Sequence, residues 1–167
     1  MIKTRRSCRK YKTCQVEDEK LDAVLEAGEY APSAHGAQDP IIVAVQKKTL
    51  MERLSAMNAR VMGVSSDPFY NAPTYIFVFA SADNNNALQD GSCALENMML
   101  AAHALGLGTC WINREIEMFG TDEGRAVMGE MGLPEGLMGV GALALGYPEG
   151  EPKPAKPRKE GHVRVLR

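Results

Sequence analysis

Nowhere in this sequence do cysteines and histidines stand at metal-binding spacing. Cys8, Cys14, Cys93 and Cys110 form no CxxC pair, and His35, His103 and His162 are widely separated, so no metal site is expected. No apolar run approaches the roughly 20 residues that a membrane span needs. The N-terminus also lacks the apolar h-region of a secretory signal, and a cytoplasmic protein with reduced thiols is expected. In that setting Cys93 and Cys110 are expected to pack inside as small apolar groups. Neither sign of charge dominates: 19 Lys and Arg against 21 Asp and Glu leave a net charge of -2. Nothing electrostatic therefore points to nucleic acid or an anionic membrane as partner. Internal repeats, low-complexity blocks and long linkers are missing as well. What is there, 167 residues with 45% hydrophobic and 24% charged content, reads as one globular domain spanning 1–167.

Hydrophobic periodicity divides the chain into alternating helices and strands. The clearest helix lies in VEDEKLDAVLEAGEYAPS, Val16 to Ser33. Acidic Glu17, Asp18 and Glu19 suit its positive end, Leu21, Val24, Leu25 and Gly28 trace one face, and Pro32 ends it. PIIVAVQ, Pro40 to Gln46, reads as a buried strand, and KTLMERLSAMNARV, Lys48 to Val61, as a helix with Leu50, Leu54 and Met57 on one side. TYIFVFASA, Thr74 to Ala82, is the strongest strand. From Ala94 to Leu107 the chain is apolar almost all round, the mark of a central buried helix. A strand at Gly108–Asn113, a helix at Asp122–Met131 and a Gly-laced strand at Leu137–Pro148 follow. The end, Glu151 to Arg167, begins as a Pro/Lys-rich extended arm and finishes with alternation of Val163 and Val165 against Arg164, as in a strand. The class expected is α+β: a mixed, mainly antiparallel sheet sandwiched by helices, with an arm built to lie across something else.

Against this neutral background KTRRSCRKY, Lys3 to Tyr11, is a local anomaly. If it is helical, Arg5 and Arg9 share one face with Ser7 and Arg6 to the side. Forked guanidiniums and a hydroxyl make an oxyanion receptor, and Lys156, Arg158 and Lys159 of the arm could add further cations for a phosphate. Elsewhere the residues exclude more than they assign. HALGLGTCWIN, His103 to Asn113, places its glycines before a strand and not at the opening of a helix, so it is not a dinucleotide-binding turn. Asp90 and Glu96 are poorly placed as an acid/base pair, no nucleophile–histidine arrangement is visible, and His35 reads as a surface residue.

Five stretches taken in order resemble the nitroreductase family of FMN-dependent oxidoreductases. They are Arg5-Arg6-Ser7-Cys8-Arg9-Lys10-Tyr11; Ala31-Pro32-Ser33-Ala34-His35-Gly36-Ala37-Gln38; DPFYNAP, Asp67 to Pro73; the run from Asp90 to Ile112; and the closing GYP…KPR, Gly146 to Arg158. Gly36 departs from the asparagine that the family commonly shows.

The resemblance implies a homodimer with two FMN at the subunit interface and an arm exchanged between subunits. Arg5, Arg6 and Ser7, joined by Lys156 and Arg158, would take the FMN phosphate. Arg9 would lie by N1 and O2 of the isoalloxazine. Pro32, Ser33, Ala34 and Gln38 would come from the other subunit, and the backbone at Asn113 and Arg114 would sit near N5 and O4. It further implies hydride transfer from NAD(P)H to the flavin and ping-pong reduction of a nitroaromatic, quinone or similar small acceptor. The alternatives are a flavin-binding or interaction protein without turnover, or another flavin redox activity such as dehalogenation, flavin fragmentation or enoate reduction.

Overall fold

The computed structural model describes residues 1–167. Its elements, in chain order, are α1 (Asp18–Glu29), a 3₁₀ turn (Ala34–Gly36), β1 (Ile41–Val45), α2 (Lys48–Met62), β2 (Thr74–Ser81), α3 (Ala87–Ala104), β3 (Gly108–Ile112), α4 (Glu115–Phe119), α5 (Asp122–Glu130) and β4 (Leu137–Gly146). The four strands form one sheet in the order β1-β2-β4-β3, and all three ladders are antiparallel. One parallel pairing joins it at the margin, a bridge between Ser7 and Thr109 beside β3.

Because side chains alternate across a strand, β2 feeds both faces of the sheet. Phe77 and Phe79 join Leu54, Met57, Met118, Phe119 and Val127 under α2, α4 and α5. Ile76, Val78 and Ala80 join Val24, Leu95, Met98 and Leu143 under α1 and α3. Seven of the eight residues of β2 are buried, which explains why a continuous apolar run marks it so clearly. Three layers result, helices on either side of a central sheet, the α+β sandwich expected.

Several boundaries differ from the sequence reading for identifiable reasons. α1 closes at Glu29 with Tyr30 as its C-cap, since residues ahead of a proline avoid the helical region. β1 is an edge strand, so only Val45 of its five residues is buried and the expected full burial is not met. α3 starts seven residues earlier than its apolar run suggests. Its polar first turns are anchored by the carboxylate of Asp90, which accepts the Ala34 N–H at 3.0 Å. Cys110 is buried, whereas Cys93 is exposed on α3 and corrects the expectation that both pack inside. The arm from Glu151 to Arg167 is exposed throughout and contributes no strand. Val163, Val165 and Leu166 remain 83%, 69% and 95% exposed, so the alternation there meets no sheet edge within this chain.

Candidate functional site

The arginine-rich segment is not helical. A turn occupies its first residues, and beyond it the chain runs alongside the free edge of β3. The Cys8 N–H donates to Thr109 O at 2.8 Å, the Lys12 N–H to Tyr147 O at 2.8 Å, and Glu149 N–H to Lys10 O at 3.0 Å. With its backbone bonds spent on β3 and on the chain leaving β4, the segment has none for a helix. Tyr11 pins the end: its buried hydroxyl lies 2.8 Å from Cys8 O and 3.1 Å from Ala144 O, and burial pushes its pKa far up.

Arg5, Ser7 and Arg9 nevertheless come near a common group without a helical turn. All three act on the Cys110 thiol of β3. Burial raises the pKa of that thiol, opposed by the charge of Arg9, aided by Cys8, and opposed again by Ser7 and the charge of Arg5. None of these arginines has a carboxylate partner, because the ion pairs of the protein are Lys20–Glu17, Lys48–Glu52, Arg53–Glu123, Arg53–Glu130, Arg60–Glu123 and Arg125–Asp122. Arg5 Nη1 and Arg6 Nε are buried without any hydrogen-bond partner. Buried donors left unpaired beside uncompensated positive charge are costly unless an anion completes them. The chemistry of this donor set fits a phosphate.

Arg9 is held differently. Its Nε donates to the Tyr70 hydroxyl at 3.3 Å, its guanidinium lies 5.8 Å from the Tyr70 ring centroid, and the bond to Tyr70 is the main cause of its raised pKa. Tyr70 and Asn71 adopt left-handed backbone, φ 58° and 54°. Asp67 fixes that turn by accepting from the Phe69 N–H at 2.8 Å and the Asn71 N–H at 2.6 Å. DPFYNAP is thus a clamp for Arg9 as well as a lead into β2.

At the other end of β3 the chain turns sharply. Arg114 sits at φ 86°, rare for a residue with a side chain. Its Nε donates to Asn58 Oδ1 at 3.0 Å, and Asn58 Nδ2 donates to Asn113 O at 2.9 Å and Glu115 Oε1 at 3.3 Å. Glu115 is 1% exposed, its Oε2 has no partner, and desolvation raises its pKa to about 8. Gly139 makes room for it: a Cβ there would stand 2.7 Å from Glu115 O and 2.8 Å from Glu115 Cβ.

The Ser33–Gln38 loop lies elsewhere. Ser33 Oγ accepts from the Gln38 N–H at 2.9 Å, and His35, Gly36 and Gln38 take positive φ of 54°, 65° and 53°. A Cβ at Gly36 would meet nothing within 4 Å, so the departure to glycine eases the backbone and opens no packing defect. Pro32 and Gln38 are exposed, and Ser33 and Ala34 are half-buried. This loop hangs on Asp90 in the first turn of α3, while Thr4, next to Arg5, is 2.8 Å from Nε2 of His103 in its last turn. Thirteen residues of helix at about 1.5 Å each separate those anchors by roughly 20 Å. Pro32, Ser33, Ala34 and Gln38 are therefore not brought to Arg5 within this chain, while Asn113 and Arg114 lie at the far end of β3, where Glu115 packs against Gly139 of β4 and Gly91 of α3 packs against the adjacent Val140. Lys156 and Arg158 are exposed on the arm and form no hydrogen bond or ion pair. A groove of about 450 Å³ between α2 and the 65–72 turn shares no residue with the β3 edge.

Sequence reasoning missed Asn58, Tyr70 and Glu115. Asn58 did carry a signal, since it stands four residues after buried Leu54 on the apolar face of α2. Glu115 carried none, because the five-residue helix that buries it was not foreseen.

This four-stranded antiparallel α+β sandwich is the architecture of a family of oxidoreductases. The family model described as "Nitroreductase family" matches residues 2–67 and 59–147, and the chain belongs to that family. A protein of Archaeoglobus fulgidus, provisionally named NADH dehydrogenase/NAD(P)H nitroreductase, is 33% identical over 159 residues, covering 90% of this chain and 85% of its own. A nitroreductase of Bacteroides fragilis solved with bound FMN superposes at TM-score 0.88, with 34% identity and coverage of 98% and 95% of the two chains. Another from Desulfitobacterium hafniense, also with bound FMN, gives TM-score 0.87 and 27% identity over 99% of this chain and 96% of its own. No helix of the protein is long and apolar enough to cross a membrane.

Proposed function

We propose that residues 1–167 form a flavin-binding domain that, as a homodimer, binds FMN and carries electrons from NAD(P)H to a small oxidised acceptor such as a nitroaromatic or a quinone. The observation that carries this reading is the uncompensated arginine cluster on the β3 edge, with the unpaired donors of Arg5 and Arg6. FMN supplies a ring that accepts a hydride from one ligand and delivers it to the next in ping-pong turnover. The protein's part is to bind, orient and tune. Arg5, Arg6 and Ser7 hold the phosphate by charge-assisted hydrogen bonds. Arg9, clamped by Tyr70, places a cation by N1 and O2, where it stabilises the charge of the reduced ring. The turn at Asn113 and Arg114 presents its backbone towards N5 and O4.

The roughly 20 Å between the two anchor points on α3 supports a site completed by a second subunit. In that dimer Pro32, Ser33, Ala34 and Gln38 come from the partner, and the exposed arm crosses over to add Lys156 and Arg158 to the phosphate. A cytoplasmic location belongs to the same reading, supported by four free cysteines.

The test is a visible spectrum of the purified protein, followed by NADH oxidation with and without menadione or a nitroaromatic. Bound flavin and acceptor-dependent turnover are expected. Bound flavin with no dependence on acceptor would favour a binding protein without turnover, and failure to bind added FMN would overturn the proposal.

A further inference from the structure

Asn58 lies in the middle of α2, fully buried, yet it is spent on three consecutive residues of another segment. Its amide takes the carbonyl of Asn113, the guanidinium of Arg114 and the carboxyl of Glu115. A single planar group therefore templates the shape of the turn that leaves β3. The shape is one that needs holding, because a non-glycine residue at φ 86° sits in a sparsely populated, strained region of backbone conformation. Closing a β3–α4 connection does not by itself demand this arrangement. A glycine would take the left-handed position freely, and an apolar residue at 115 would fill the space without an unpartnered Oε2. The chain keeps an arginine and a buried acid there, and Gly139 clears the room.

We propose that Asn58 and Glu115 are positioning residues: a buried amide–acid pair, reaching from α2 and α4, that holds the Asn113–Arg114 turn in the form presented to the flavin. This inference rests on the proposed placement of that turn beside N5 and O4. Glu115 acts here as a neutral acid. Its Oε1 accepts from Asn58, burial favours the protonated form, and Arg114 and Glu117 are the charged groups that influence it. Neither Asn58 nor Glu115 need touch the cofactor, so their removal should alter what the flavin does more than whether it binds.

The test uses the FMN-loaded protein with Asn58→Leu, which removes all three bonds, and Asn58→Ala as a less bulky alternative. With FMN saturating, the preference for reduced over oxidised flavin should fall about tenfold. That is a midpoint shift of about 30 mV to more negative potential. The kcat for acceptor reduction should fall while KM changes little, and circular dichroism should report a folded protein. A parental potential in folded, FMN-loaded Asn58→Ala would overturn the inference and leave the proposed function standing. A parent that does not bind FMN would instead remove the proposed function.

Discussion

Glu115→Gln tests the buried acid directly, through the pH dependence of stability. An unfolded glutamate ionises near its ordinary value of 4.5, whereas the folded group holds its proton up to about pH 8. Between those values the native state binds one proton more than the unfolded state, so stability falls as pH rises, by about 1.36 kcal/mol per pH unit. Below pH 4.5 the group contributes no penalty, and above pH 8 the penalty is complete. At pH 7 it amounts to roughly 3 kcal/mol, a large part of the 5–15 kcal/mol typical of a domain. Glutamine cannot ionise. Its amide nitrogen replaces the unpartnered Oε2 and costs about 1–3 kcal/mol, but that offset is the same at every pH. Urea unfolding of parent and variant at a series of pH values, at one protein concentration, should therefore show the variant gaining about 3–4 kcal/mol relative to the parent between pH 5 and pH 8. All other titrations are common to both proteins and cancel in the difference. Parallel pH profiles would refute the reasoning, because they would mean that Glu115 is ionised in the folded protein or is not buried.

Three other outcomes are expected. Arg5→Ala should weaken FMN binding ten- to a hundredfold, since a charge-assisted hydrogen bond contributes about 1.5–3 kcal/mol; riboflavin, lacking the phosphate, should bind parent and variant alike in a fluorescence titration. Arg9→Gln with FMN saturating should move the midpoint potential negative by about 30 mV for each tenfold loss of reduced-state preference, and Tyr70→Phe, which removes the hydroxyl that accepts from Arg9, should move it in the same direction by less. Sedimentation should find a dimer burying on the order of 2,000 Å² or more, and truncation after Gly150 should weaken both dimer and FMN binding; a monodisperse monomer of the full chain would contradict the two-subunit site.

How much of this could be read along the chain depended on how local each interaction is. β2, α2 and β4 were legible because burial on one or both faces writes a pattern into a few consecutive residues. The start of α3 was not, since its first turns are polar and owe their order to Asp90 bonding a loop 56 residues earlier. α4 was missed because five residues are too few to show a period. The spacing by four of Arg5 and Arg9 suits a helix. Only the neighbouring edge of β3 supplies the backbone partners that make it extended.

Residue identity alone determined that cations cluster near the start of the chain without compensating acids, in a nearly neutral protein. It also determined the ordered motifs that mark the family. The tertiary structure decided what those cations do to one another: Arg5 and Arg6 keep unpaired buried donors, while Arg9 is turned aside by Tyr70 from 61 residues away. It alone decided that Glu115 is an acid holding its proton to about pH 8. Charge type is a property of a residue, but desolvation, and with it the state of that charge, is a property of everything packed around it.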